Sequence, residues 1–408
     1  MYDITLLGAT GYTGSLCAAF IASNFSTNLR WCLAGRSEAK LKALAKELAI
    51  EYPDRVQPEI EIILDLERPS IDAFIRRTKI VINGIGPFHR YSTSIVEACA
   101  VMGTCYADFS TETLWIRELI EKYEDVARES GAILIPGISP TAPADILAWL
   151  IARQVRERYE TGLINISATG KLDIKAMSPG SLTTVIDSLE SWGPSWYLSG
   201  DYWVLSATKR PHAPRKPRTS LVSRLLGYSS VPGLGTLTTS FIGPGNASVV
   251  HRSATQNPEL YGPSFHYEEY LPASGVTSAI LVHILTKVAI ILLSVPLIRG
   301  LLKTFVDPSK STTDQGELQR LESAEYHALG MIQGDKPFVR GHFLRKGGLY
   351  EFTALLTCVG ARILLDKLAH DGQERAGKGG FFTPSSLGME YVEGLRGAGV
   401  TIEVEDLE

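Results

Sequence analysis

Along the first 155 residues, short apolar runs alternate with longer stretches in which apolar side chains recur every three or four positions. The runs are Ile4–Leu7, Leu29–Leu33, Ile60–Leu64, Ile80–Asn83, Cys105–Ala107 and Ala132–Ile135. Runs this short, bounded by Gly, Pro or Asp and rich in Ile and Val, predict buried strands. The periodic stretches predict helices. They begin near Tyr12 (Leu16, Ala19, Phe20) and near Glu38 (Leu41, Leu44, Ala45, Leu48), and continue at Pro69–Arg76 and Thr93–Met102. Strand and helix in alternation predict an α/β fold with a doubly wound parallel sheet, the Rossmann arrangement.

The pattern changes from Leu163. Leu163–Thr169 alternates apolar and polar residues as a half-buried strand does, and Gly180–Glu190 reads as a helix. Arg320–Ile332 and Phe338–Arg345 read as paired strands, Tyr350–Leu368 as a long helix, and Ser385–Leu395 as a last helix after a turn at Gly379 and Gly380. The expected organisation is a nucleotide-binding domain at 1–155, an α+β domain with a mixed sheet at 156–375, and a C-terminal return at 376–408. That return is expected to pack on the first domain and close the cleft that holds the active site. Trp192, Trp196, Tyr197, Tyr202 and Trp203 build either the core of the second sheet or the lining of an apolar pocket.

Residues 276–306 are apolar almost throughout, with His283 and Lys287 one helical turn apart and Ser294 on the same side. The 11 residues between Lys287 and Arg299 include Pro296. A spanning helix needs about 20 apolar residues, so the expectation is not a transmembrane span. Two readings stay open: a buried or homodimer-interface helix, or a surface that lies on a membrane or lipid droplet. Lys209–Arg224 is basic and proline-rich, read as a solvated linker or as a docking patch for an acidic partner.

Composition narrows the class. Of 408 residues, 45% are hydrophobic and 21% charged, as in ordinary globular proteins, and a net charge of −4 argues against a nucleic-acid partner. Asp3 precedes the first apolar run, so no signal peptide is expected. Cys17, Cys32, Cys99, Cys105 and Cys358 show no metal-binding spacing and read as core residues in a reducing, cytoplasmic setting.

The chemistry concentrates after the strands. Gly8, Gly11 and Gly14 are spaced G-x-x-G-x-x-G between a strand and a helix, a variant of the dinucleotide fingerprint. Backbone groups of Thr10, Tyr12 and Thr13 share that turn. Arg36 and Ser37 follow the second strand, where the adenosine ribose lies. A cation and a hydroxyl there suit a 2′-phosphate, which favours NADP(H) over NAD(H). Asp65 either meets the adenine amino group or caps the next helix. Gly84, Gly86 and Pro87 form the loop expected to face the nicotinamide. Beyond it, Tyr91 is a candidate proton donor or a packing residue at a helix start, and His89 is expected to be exposed. Asp108 either orients substrate or caps a helix. No metal cluster, nucleophile elbow or Tyr-x-x-x-Lys pair is evident.

The segments GATGYTG, AGRS, NGIGPFHRYS and CYAD, in this order, resemble the saccharopine dehydrogenase-like oxidoreductases, nearest the branch with trans-acting enoyl reductases. Pro179–Thr183 (PGSLT) and Gly379–Pro384 (GGFFTP) extend the resemblance over nearly the whole chain. Where that family often has Gly after the tyrosine of the Pro-Phe/Tyr loop, this chain has Ser92. The resemblance implies an NADPH-dependent reductase acting on an enoyl C=C of a hydrophobic or carrier-bound polyketide- or fatty-acyl-like substrate. Reduction of C=O or C=N, and a non-catalytic lipid-associated protein, are the alternatives.

Overall fold

The computed structural model describes residues 1–175, 177–199, 201–206, 221–305, 319–332, 336–371 and 377–407. Two compact units divide the chain: Met1–Pro140 with Leu349–Ala398, and Thr141–Gly348 with Gly399–Glu408. This corrects the expected boundaries. The first unit ends earlier than residue 155, reclaims the long helix assigned to the second domain, and keeps only part of the 376–408 return.

In chain order, the first unit opens with β1 (Tyr2–Leu7), α1 (Tyr12–Asn24), β2 (Trp31–Gly35), α2 (Glu38–Glu51), β3 (Glu59–Ile62), α3 (Arg68–Ile75) and β4 (Thr78–Asn83). A one-turn helix α4 (Phe88–Tyr91) follows, then α5 (Thr93–Met102), β5 (Cys105–Asp108), α6 (Thr113–Ser130) and β6 (Ile133–Ile135). A kinked helix, α7 (Ile138–Tyr159), leads on, with Ser139 outside helical geometry.

The second unit continues with β7 (Asn165–Asp173), α8 (Pro179–Trp192), α9 (Ser195–Ser199), α10 (Leu221–Leu226), β8 (Tyr228–Val231) and β9 (Gly235–Thr239). Next come α11 (Gly243–Gln256), α12 (Pro258–Tyr261), β10 (His266–Ala273), α13 (Val276–Ser294), α14 (Pro296–Phe305), β11 (Ser323–Met331) and β12 (Pro337–Lys346). The chain then returns to the first unit through α15 (Leu349–Asp371), β13 (Gly380–Phe381) and α16 (Met389–Gly397), and ends in the second with β14 (Thr401–Asp406).

The first sheet has strand order β13-β6-β5-β4-β1-β2-β3 and is parallel throughout. The reversal of order between β1 and β4 makes the switch point at which such sheets bind nucleotides. Its central strands are buried on both faces, which is why they read as unbroken apolar runs. The α15 helix packs on α1 and across β4 and β5, supplying one of the covering layers. Gly379 and Gly380 admit β13 beside β6: a Cβ at Gly379 would stand 2.0 Å from the Ala127 carbonyl oxygen, and Gly380 has φ +142°. The predicted last helix is a 3₁₀ turn at Pro384–Leu387 followed by α16.

The second sheet is mixed, in the order β14-β12-β11-β7-β10-β9-β8, with β7 and β10 parallel and the other pairs antiparallel. Of its aromatic cluster Trp196 is buried, packed against Tyr197, and the half-buried Trp203 stacks on the buried His251 at 4.1 Å. At its centre the buried Glu269 carboxylate accepts from Asn246 Nδ2 and Tyr267 Oη, and burial pushes it up to about 7. All five cysteines are free and buried. The basic segment lies outside the described residues except for 221–224, within α10.

Candidate cofactor and active site

The β1–α1 turn is shaped by what cannot fit in it. Gly8 has φ +69°, and a Cβ there would stand 2.8 Å from the carbonyl carbon and oxygen of Gly84. At Gly14 a Cβ would lie 2.2 Å from the Gly8 carbonyl oxygen. The first turn of α1 therefore sits directly on the exit of β1, closer than any side chain permits. Gly11 precedes α1 at its N-cap position and has no side chain to cap the helix. The backbone N–H groups of Tyr12, Thr13 and Gly14 thus open the helix at its positive end, the arrangement that accepts a pyrophosphate. This cradle fits a dinucleotide. Thr10 lies beside Gly35, the last residue of β2, and Tyr12 packs edge-on against Tyr350 of α15 at 5.2 Å.

Arg36 leaves β2 exposed to solvent, free of the core and next to the cradle's own strand. Ser37 caps α2, its Oγ accepting from Lys40 N at 3.4 Å. Asp65 lies three residues beyond the end of β3, exposed, and its Oδ1 accepts from Glu67 N at 3.1 Å. That contact is a local turn just before α3, whose N-cap residue is Glu67 and which has no side-chain cap.

The loop after β4 is held from below by a buried polar network. Asn83 Nδ2 donates to Ser92 Oγ at 2.8 Å and to Tyr106 Oη at 2.9 Å, while Asn83 Oδ1 accepts from Ile85 N. Ser92 Oγ in turn donates to the Ile85 carbonyl at 2.9 Å. Ser92 is thus a clamp, wholly buried, that fixes the loop from its far end. The Gly86–Pro87 peptide is cis. Glu112, 1% exposed, accepts from Phe88 N at 2.8 Å and from Thr111 N at 2.9 Å. The sequence reading missed Glu112, whose only signal was a carboxylate preceding a helix.

Asp108 is fully buried. Its Oδ1 accepts from Gly137 N at 2.6 Å, Ser110 N at 2.9 Å and Ser110 Oγ at 2.7 Å, and its Oδ2 accepts from Tyr106 Oη at 2.6 Å. Burial pushes its carboxyl up to about 6, against which all four donors work, so at neutral pH it is a caged anion. With both oxygens engaged and no exposed surface, Asp108 is a positioning residue that ties the ends of β5 and β6 together. Of the two expected roles, orienting substrate or capping a helix, its four observed contacts are all internal. Tyr91 ends α4 with 49% of its surface exposed. His89 is not exposed as expected: its side chain is 7% accessible, with Nδ1 3.5 Å from Glu112 Oε1.

Residues 4–135 match the family model of the saccharopine dehydrogenase NADP binding domain. A trans-acting enoyl reductase of Mycobacterium ulcerans is 29% identical over 283 residues, 66% of this chain and 65% of that protein. A trans-acting enoyl reductase of Mycobacterium tuberculosis is 28% identical over 290 residues, again 66% and 65%. Among solved structures, apo saccharopine dehydrogenase (L-Glu forming) from Saccharomyces cerevisiae aligns over 100% of both chains with a TM-score of 0.53 at 12% identity, a likeness of fold.

A charge-assisted hydrogen bond contributes roughly 1.5–3 kcal/mol, or roughly 10–100-fold in affinity. Arg36→Asp is therefore expected to weaken NADPH by that factor or more while changing NADH little, measured by nicotinamide fluorescence titration. Equal loss of both cofactors would remove Arg36 from the 2′-phosphate site. The glycine cradle and the family match over residues 4–135 lead to one conclusion: those residues form an NADP-binding domain of the saccharopine dehydrogenase type, and the chain is an NADP(H)-dependent oxidoreductase.

Proposed function

We propose that this enzyme reduces a polarised double bond, the C=C of an enoyl group, in a hydrophobic polyketide- or fatty-acyl-like substrate that is free or carrier-bound. The observation that carries the reading is the match, over about two thirds of either length, to proteins named trans-acting enoyl reductases. Bound NADPH supplies the hydride. The chain supplies position and a proton. Asn83, Ser92 and Glu112 lock the loop 84–88 so that Gly84, Gly86 and Pro87 present backbone and little side chain, a surface a flat ring approaches closely. Tyr91, exposed just past that loop, is assigned the proton donor to the substrate α-carbon once the β-carbon has been reduced.

The test is loss of NADPH absorbance with 2-enoyl, 3-keto and imine substrates of matched chain length. Turnover of the enoyl substrate is expected. Turnover of the keto or imine substrate alone would move the enzyme to C=O or saccharopine-type C=N chemistry. Tyr91→Phe is expected to lower kcat by roughly 10²–10⁴-fold with NADPH affinity unchanged; full activity would hand the proton to water.

We further infer that α13 and α14 carry the enzyme to a lipid surface in the cytoplasm. By length and composition alone α13 is long enough to cross a bilayer, which the sequence reading did not expect. Yet it lies along β8, β9 and β10 of its own unit, and its polar groups turn inward. His283 Nδ1 is 2.6 Å from Thr239 Oγ1, and Lys287 is half-buried. On α14, Lys303 pairs with Asp187 and Glu190 of α8, and Arg299 Nη2 lies 3.9 Å from Glu190. The outward positions are Leu281, Ile284, Leu285, Val288, Ile291 and Leu292, continued by Leu297, which is 83% exposed. Water-facing helices show the opposite polarity, whereas an interfacial helix buries such a face among acyl chains. Flotation with phosphatidylcholine vesicles is expected to carry the protein upward, and Leu285→Glu/Leu297→Glu to abolish it. A dimer in solution that the same substitutions dissociate, without flotation of the parent protein, would assign the face to a second copy.

A further inference from the structure

On the second unit's sheet, β11 and β12 pair antiparallel with His327 directly opposite His342. The two imidazoles stack face to face, centroids 4.6 Å apart and planes within 6°. Glu325 stands two residues before His327 on the same strand and therefore on the same face. Its Oε1 is 3.2 Å from His327 Nε2 and 3.3 Å from His342 Nε2, so three candidate ligand atoms from two strands lie within reach of one ion, to which the parallel rings would tilt their in-plane lone pairs. We propose that Glu325, His327 and His342 form a binding site for a zinc-class divalent metal ion, independent of the nucleotide site.

The geometry carries this assignment. A tetrahedral ion with metal–ligand bonds of about 2.0–2.1 Å places its ligands about 3.3–3.4 Å apart. The two carboxylate–imidazole separations already have that value, and all three candidate ligand atoms lie within 4.8 Å of one another. Two imidazoles and one carboxylate are the ligand set of open zinc-type sites, with the remaining position left to water or another small ligand. The side chains are 25–41% exposed, so an ion and a water have access.

The surroundings support the site. His342 Nδ1 faces Glu403 Oε2 at 3.9 Å, and Glu403 is its register partner on β14. A carboxylate on the far nitrogen of a metal-ligating imidazole orients the ring and raises its basicity. Two cations share this face: Lys171 lies opposite Glu325 in register, and Arg340 is 3.5 Å from Glu405. Without an ion, the same atoms describe one carboxylate oxygen accepting from two imidazole N–H groups. That alternative predicts no metal affinity.

Sequence spacing concealed the site because its ligands come from different strands. Only the Glu-x-His pair on β11 is local, and His342 joins it through strand register. An ion here would cross-link β11 and β12 and fix the ring orientations on an otherwise soft, half-exposed surface.

The experiment is titration of the full-length, chelator-treated protein with Zn²⁺, followed by calorimetry, and with Co²⁺, followed by its visible absorption. One equivalent of Zn²⁺ bound at micromolar affinity or better is expected, with a tetrahedral-type Co²⁺ spectrum. His327→Ala and His342→Ala are each expected to weaken Zn²⁺ at least about 100-fold, and Glu403→Gln about 10-fold. Retained NADPH binding in each variant serves as the check of folding. Absence of a bound equivalent in the parent protein, or affinity unchanged in both histidine variants, would overturn the proposal. If a variant fails to fold, the Co²⁺ spectrum of the parent decides: octahedral-type absorption without strong visible bands contradicts a three-ligand protein site.

Discussion

The nucleotide-binding unit depends on one steric constraint, the absence of side chains where α1 meets the end of β1. Gly14 brings the helix so near that a methyl group would sit 2.2 Å from the Gly8 carbonyl oxygen, and Gly8 brings the β4 exit within 2.8 Å of where its own Cβ would be. Three chain segments that are distant in sequence thereby converge on one point at the switch of strand order. That convergence places an uncapped helix N-terminus beside the exposed Arg36 on one side and the clamped loop 84–88 on the other. The phosphate-binding helix end follows from that packing, and the proposed roles of Arg36 and loop 84–88 depend on it.

How much of this was legible in the sequence depended on the range of the interaction. β1, β4 and the helices α2 and α5 were readable because apolar runs and caps are local, and the glycine spacing carries its own steric reason. The role of Ser92 was not legible. Its hydroxyl acts through Asn83 and the Ile85 carbonyl, partners set by the turn geometry after β4. Asp108 was noticed but its partners were not legible, because a carboxylate at a strand end looks the same in sequence whether it meets substrate or four internal donors. The long helix α15 was recognised from its period, yet its unit was not, since periodicity tells that a face is buried and not against what. The same limit hid β14, whose place beside β12 depends on pairing across the chain.

The second unit shows a different balance of forces. Its sheet encloses a polar centre around Glu269, while its helices α13 and α14 turn leucines and isoleucines outward and their few cations inward. Polarity is thus inverted relative to a helix pair designed for water. The proposed hydrophobic substrate and the proposed lipid-facing surface would belong to one physical picture: an acyl chain that partitions into lipid would meet its reductase most readily there.

The central claim is that the β1–α1 cradle and Arg36 make a working NADPH site. Its most direct measurement is titration of the purified protein with NADPH and with NADH, followed by nicotinamide fluorescence. The account predicts saturable NADPH binding, at least about 10-fold tighter than NADH. Failure to bind NADPH, or equal affinity for the two, would contradict it.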